Sequence, residues 1–158
     1  MTYRRTAPYA RAVFAIRPAT LDDLTRVLSW TRALNAVESI VIEDGPLETA
    51  TRHLLGSPEL GGVWVITRDG AAIGQAVVTY GYDLEFAGRD SLLTELWIDP
   101  EHRGNGAATE ALRLLAGELR DRGVHALHLQ VRPDNPAYRL YARAGFTASP
   151  RTVMTRRL

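Results

Sequence analysis

Apolar positions recur along the chain at two spacings, and the switches between them lay out the elements. Val13-Phe-Ala-Ile-Arg17 reads as a short strand stopped by Pro18. Thr20 is an N-cap before Leu21-Asp-Asp-Leu24, and Leu21, Leu24, Val27, Leu28, Thr31 and Leu34 keep helical spacing. Residues 36 to 60 carry a weaker pattern, which gives one helix from Pro46 to Leu55. Gly62 to Thr67 and Ala71 to Tyr80 flank Arg68-Asp-Gly70 and form a hairpin, with Ser91 to Ile98 as the next strand. Ala107 to Arg122 is a helix with an apolar stripe of Ala108, Ala111, Leu112, Leu115 and Leu119, closed by Gly123. Val124 to Val131 follows as a strand, Pro136 to Ala144 as a helix closed by Gly145, and Thr152 to Arg156 as a last strand. Neither an internal repeat nor a linker interrupts this order.

Composition narrows the class by exclusion. The 158 residues, 46% hydrophobic and 23% charged, suit one globular domain over residues 13–158, preceded by a flexible basic arm over residues 1–12. A net charge of +1 gives no global attraction for nucleic acid, and the arginines near both termini read as solvated tails. No apolar run reaches a membrane span and no signal-peptide core is present, so a cytoplasmic location is expected. The sequence has no cysteine, which removes disulfides, zinc-thiolate sites and a cysteine acyl-enzyme. His125 and His128 lie three apart on a strand and point to opposite faces, so no metal is expected.

The chemistry concentrates at Arg103-Gly-Asn-Gly-Ala-Ala-Thr109, between a strand and a helix. The first turn of a helix leaves N–H groups without partners and carries partial positive charge. Glycines let an anion approach the backbone there, and an arginine adds a charged donor. A tight turn needs glycines equally well, so residue chemistry leaves both uses open. The stretch is neither a Walker A loop nor a Rossmann fingerprint.

Read as Arg103-x-x-Gly106-x-Ala108, the stretch resembles the coenzyme A pyrophosphate signature of the GNAT superfamily of N-acetyltransferases. The preceding Leu96-Trp-Ile-Asp-Pro100 is similar to that family's central strand, and "RPDNPAYRLYARAGF" to its downstream segment. The resemblance implies an α/β (α+β) fold: a mixed, mostly antiparallel sheet of six to seven strands, splayed at the central strands and flanked by about four helices. It also implies acetyl-CoA as cosubstrate, an amine as acceptor, and dimers as a common assembly.

By position, the resemblance places the pantetheine arm along Leu96, Trp97 and Ile98. The pyrophosphate falls at Arg103, Gly104, Asn105, Gly106, Ala107, Ala108 and Thr109, with Asp134, Asn135 and Tyr138 beside the cofactor. Tyr141 corresponds to the family's tyrosine that protonates the departing thiolate. Many relatives carry an acid where this chain has Thr94. Glu95 is then the candidate base, although strict alternation puts the two side chains on opposite faces. Glu38, Glu43, Asp44, Glu85 and Asp90 are further acids which, if they faced the cleft, would imply a cationic or polyamine-like acceptor. The rival reading is a non-catalytic acyl-CoA-binding or sensing domain.

Overall fold

The computed structural model describes residues 12–158, so all but the last residue of the expected arm lies outside the described residues. One five-stranded sheet has the order β1-β2-β3-β4-β5: β1 Phe14–Pro18, β2 Gly61–Arg68, β3 Ala71–Asp83, β4 Gly88–Ile98 and β5 Val124–Leu129. The first four strands pair antiparallel, and β5 joins β4 in parallel. Four α-helices complete the fold: α1 Leu24–Glu38, α2 Asp44–Gly56, α3 Ala107–Asp121 and α4 Tyr138–Arg143.

Local chemistry explains the starts and turns. Thr20 forms a capping box with Asp23, whose carboxylate also takes two 2.7 Å bonds from Arg17, and a 3-10 turn over Leu21–Asp23 leads into α1. The β2–β3 hairpin closes on Asp69 and Gly70, at φ 51° and 84°, as a two-residue turn with both central residues left-handed requires. On β3, a Cβ at Gly74 would collide with the Trp97 carbonyl oxygen of β4, so only glycine lets the two strands approach there.

The sheet is covered on both faces, which is why β2 and β3 read as near-continuous apolar runs. Trp64, Ile66, Ile73, Val78, Leu93 and Ile98 pack under Leu112, Leu115 and Leu119 of α3. On the opposite face Val27 and Trp30 of α1 meet Val63, Val65, Val77 and Trp97. Leu47 of α2 packs on Leu24 and Leu28 beside them.

Two expectations require correction. The sheet has five strands among the described residues, not six to seven, and the expected strand from Thr152 to Arg156 is absent. Ser149 Oγ accepts the Arg151 N–H at 3.1 Å beside Pro150, and Arg151 bonds Glu85 at 2.6 Å. A turn and an ion pair thus engage the chain where a ladder would begin. In addition, β4 begins at Gly88 rather than Ser91, and α4 starts two residues after Pro136.

Candidate active site

The central feature is a break in register. Pairing of β3 with β4 runs from Gly74↔Ile98 to Val77↔Glu95 and resumes at Val78↔Leu93, which leaves Thr94 as the extra residue of a β-bulge. Thr94 Oγ1 donates to the Val77 carbonyl at 3.2 Å and holds the bulge in place. The bulge resets the alternation, so Leu93, Leu96 and Ile98 pack on the α3 side while Glu95 and Trp97 turn toward α1. Thr94 and Glu95 therefore line one cavity, not opposite faces as alternation implies.

The same point is where β5 leaves β4. Parallel pairing stops at Leu93↔Leu129, whereas β4 continues to Ile98 bonded to β3 on its other edge. Beyond Leu93 the edge of β4 that faced β5 has no partner strand among the described residues: Trp97 turns its backbone groups toward β3, whereas Leu96 and the Ile98 amide face the open side, which gives the expected splay a definite place. That edge runs directly into the glycine loop.

In the loop, Gly104 and Gly106 sit at φ 75° and 88°. A Cβ at either would meet nothing within 4 Å, so conformation, not space, demands glycine there. Gly106 is the N-cap residue of α3 and supplies no side-chain cap; the first intrahelical bond is Glu110 N–H to the Gly106 carbonyl, 3.0 Å. The amides of Ala107, Ala108 and Thr109 therefore lack intrahelical acceptors at the positive end of a 15-residue helix. Asn105 and Thr109 are exposed, and Ala107 is buried against the sheet.

Arg103 is turned back onto the strand it follows. Its Nε donates to the Ile98 carbonyl at 2.8 Å, and its guanidinium lies 4.5 Å from the Trp97 ring centroid. Asp99 Oδ1 accepts from the indoles of Trp30 at 2.9 Å and Trp97 at 3.1 Å. These bonds tie α1 to the end of β4 and fix where the loop begins.

Glu95 is mostly buried. Its Oε2 accepts from Thr31 Oγ1 at 2.7 Å and Gln75 Nε2 at 2.8 Å, and Gln75 also donates to Thr31 Oγ1 at 3.0 Å. Burial raises the carboxyl above its usual range, and the two donors oppose that shift only partly. The Tyr141 phenol is also raised, first by burial and then by the charge of Glu38, so it stays protonated through neutral pH. Tyr141 and Leu96 pack on the same core cluster, and the Tyr141 ring meets Phe146 edge-on at 5.9 Å.

The remaining candidates serve local structure. Asn135 Oδ1 accepts the Ala137 N–H at 2.9 Å and shapes the turn into α4, whose first residue is the partly exposed Tyr138. Asp134 is exposed and paired with Arg132 at 2.7 Å, which lowers its carboxyl. Of the acids proposed for a cationic acceptor, Asp44 pairs with Arg32, Glu85 with Arg151 and Asp90 with His128, while Glu38 and Glu43 are exposed. None of the five lines the cavity at Glu95.

The family model described as the acetyltransferase (GNAT) family matches residues 27–146. The chain belongs to this family. Solved structures share the fold along nearly the whole length. One is an integron cassette protein from the mobile metagenome of Cole Harbour Salt Marsh, at 26% identity and TM-score 0.79 over 90% of each chain. Another is a predicted acetyltransferase of Clostridium acetobutylicum with acetyl-CoA, at 21% identity and TM-score 0.75 over 91% of this chain and 96% of that one. A third, an aminoglycoside N-acetyltransferase in complex with CoA, has 17% identity and TM-score 0.77 over 96% and 99%. No curated protein matches the sequence.

Sequence reasoning missed Thr31, Gln75 and Asp99. A signal existed for Gln75, a polar residue inside the apolar run Ile73 to Val78, because a buried amide needs partners. Thr31 falls in the helical stripe of α1, where spacing says nothing of its hydroxyl.

Proposed function

We propose that this GNAT protein is an acetyl-CoA-dependent N-acetyltransferase that acts by direct transfer in a ternary complex. The observation that carries the reading is the unpaired edge of β4 beyond Leu93, continuous with the uncapped start of α3. An extended pantetheine arm satisfies the strand edge as a missing strand would. The pyrophosphate then falls at the amides of Gly104 to Thr109, where phosphate oxygens find donors and a favourable dipole. Asn105 and Arg103 flank that position, and Asp134, Asn135 and Tyr138 border the far side.

The chemistry follows from the two perturbed groups. An amine is mostly protonated at neutral pH, and Glu95, raised by burial toward that range, accepts its proton. The nitrogen lone pair forms the C–N bond to the acetyl carbonyl, and a β4 amide on the open edge, that of Ile98, stabilises the oxyanion. On collapse the C–S bond breaks with its electron pair on sulfur. Tyr141, kept as a phenol by burial and Glu38, donates its proton to the thiolate. The products are an N-acetylated amine and coenzyme A, with no metal in any step.

A non-catalytic acyl-CoA sensor needs the strand edge and loop but has no use for a mostly buried carboxylate facing a second cavity. The test is twofold: calorimetry with CoA, and release of free thiol from acetyl-CoA across an amine panel. Binding and turnover are both expected; tight binding with no turnover on any amine would leave the sensor reading in place.

A further inference from the structure

A slot of about 190 Å³ opens between α1, α2 and the sheet, with Glu95 on its wall. Val27, Leu47, Ala50, Leu54, Val63 and Val77 make it apolar. Four threonines also line it, yet three have committed hydroxyls: Thr31 to Glu95 at 2.7 Å, Thr51 to the Leu47 carbonyl at 2.8 Å, and Thr94 to the Val77 carbonyl at 3.2 Å. Thr31 Oγ1 also accepts from Gln75. Among the lining groups Glu95 Oε1 and the Thr79 hydroxyl make no hydrogen bond, and Glu95 is the one charged residue there.

We propose that the acceptor is a primary monoamine with a small, uncharged apolar body, seated in this slot with its nitrogen at Glu95. The inference rests on the acetyltransferase reading and adds the substrate class. A polycation would carry several ammonium groups into a wall that answers only one, and an unpaired charge against apolar surface is strongly disfavoured. The volume lies below the roughly 300 Å³ at which pockets for drug-sized ligands begin, which excludes a multi-ring amine from full burial. A branched alkyl or single-ring body fills the slot and leaves no polar atom stranded.

The experiment uses the full chain with acetyl-CoA and compares isoamylamine and 2-phenylethylamine with spermidine and kanamycin by thiol release. The monoamines are expected to show kcat/KM at least about tenfold higher, the scale on which apolar pockets discriminate. Ala50 is exposed at the mouth of the slot on α2, so substitutions there do not threaten the core. Ala50→Phe should lower monoamine kcat/KM about tenfold or more with acetyl-CoA affinity unchanged, and Ala50→Glu should shift preference toward spermidine. Equal or better use of the polycations overturns the proposal, as does monoamine turnover indifferent to Ala50→Phe. Acetyl-CoA binding with no monoamine turnover rejects the acceptor class and leaves the coenzyme reading standing. Absence of acetyl-CoA binding rejects the parent reading instead, and calorimetry of 2-phenylethylamine against wild type and Ala50→Phe then decides the slot by itself.

Discussion

Replacing Glu95 by glutamine removes a proton acceptor while keeping the shape of the site. The amide oxygen of glutamine still accepts from Thr31 Oγ1 and Gln75 Nε2, so the network that positions the side chain survives. What disappears is basicity. A positioned base contributes roughly a hundredfold to ten-thousandfold, or about 3–5 kcal/mol of barrier. The two donors on Oε2 stabilise the carboxylate and pull its affinity for a proton down against the burial that raises it. That opposition places the expected loss near the lower end, about a hundredfold in kcat/KM. The assay is thiol release between pH 6 and 9.5 with one monoamine. Because the amine titrates identically with both proteins, the ratio of wild-type to Glu95→Gln rates cancels its contribution. With the range extended downward as far as the protein stays folded, the ratio should fall where Glu95 takes up its proton and be greatest where it is ionised.

Stability gives the same substitution an independent reading. A carboxyl raised in the folded state favours folding most while it is protonated, and that contribution is lost as pH rises through its folded value. Wherever wild type is ionised it carries a mostly buried carboxylate that the variant lacks. Glu95→Gln should be at least as stable as wild type at pH 8 in urea unfolding, and lose that advantage near pH 4. A variant with full activity would refute Glu95 as the base.

Three other perturbations separate the remaining parts. Tyr141→Phe should lower kcat by about tenfold or more with little change in the Kd of acetyl-CoA; unchanged turnover would mean that water protonates the thiolate. Gly106→Val forces a β-branched residue to φ 88° at a conformational cost of about 1–3 kcal/mol, with its methyls at the face assigned to phosphate. CoA affinity should fall at least about tenfold by calorimetry, and normal affinity would contradict the loop assignment. Asp23→Asn breaks the bidentate pair with Arg17, whose side chain is 47% exposed against 9% for Asp23, so about 1–2 kcal/mol is expected after allowance for solvent screening. Arg17 holds the Asp23 carboxyl down to about 2, so its contribution is complete above the unfolded value near 4 and is lost as pH falls through 2. The difference in unfolding free energy between wild type and variant should thus shrink between pH 5 and pH 2, and a constant difference would contradict the pairing.

The parts of the site that were legible in the sequence are those governed by local chemistry. Gly104 and Gly106 announce a left-handed turn, the stripe from Ala111 to Leu119 announces α3, and Asp69-Gly70 announces the hairpin, each from its own residues. The C-terminal segment was misread because its β-branched pattern competes with a Ser149–Arg151 turn and a contact to Glu85, 66 residues away. Arg103 was legible as a cation but not as one folded onto Trp97 and the Ile98 carbonyl.

The bulge at Thr94 belongs to neither class, since it arises from the pairing of two strands and not from the residue that forms it. Without it, strict alternation from Leu93 would put Glu95 on the α3 side, because every position beyond a register step inverts. With it, Thr94 satisfies the Val77 carbonyl, Glu95 enters the slot beneath α1 and α2, and β5 parts from β4 at the same residue. One inserted residue thus creates both halves of the proposed reaction centre: the open strand edge that suits the thioester and the carboxylate that faces the amine. An acid at position 94 and one at position 95 are then alternative ways of reaching a single cavity, so under the proposed mechanism the threonine here is compatible with a base supplied by its neighbour.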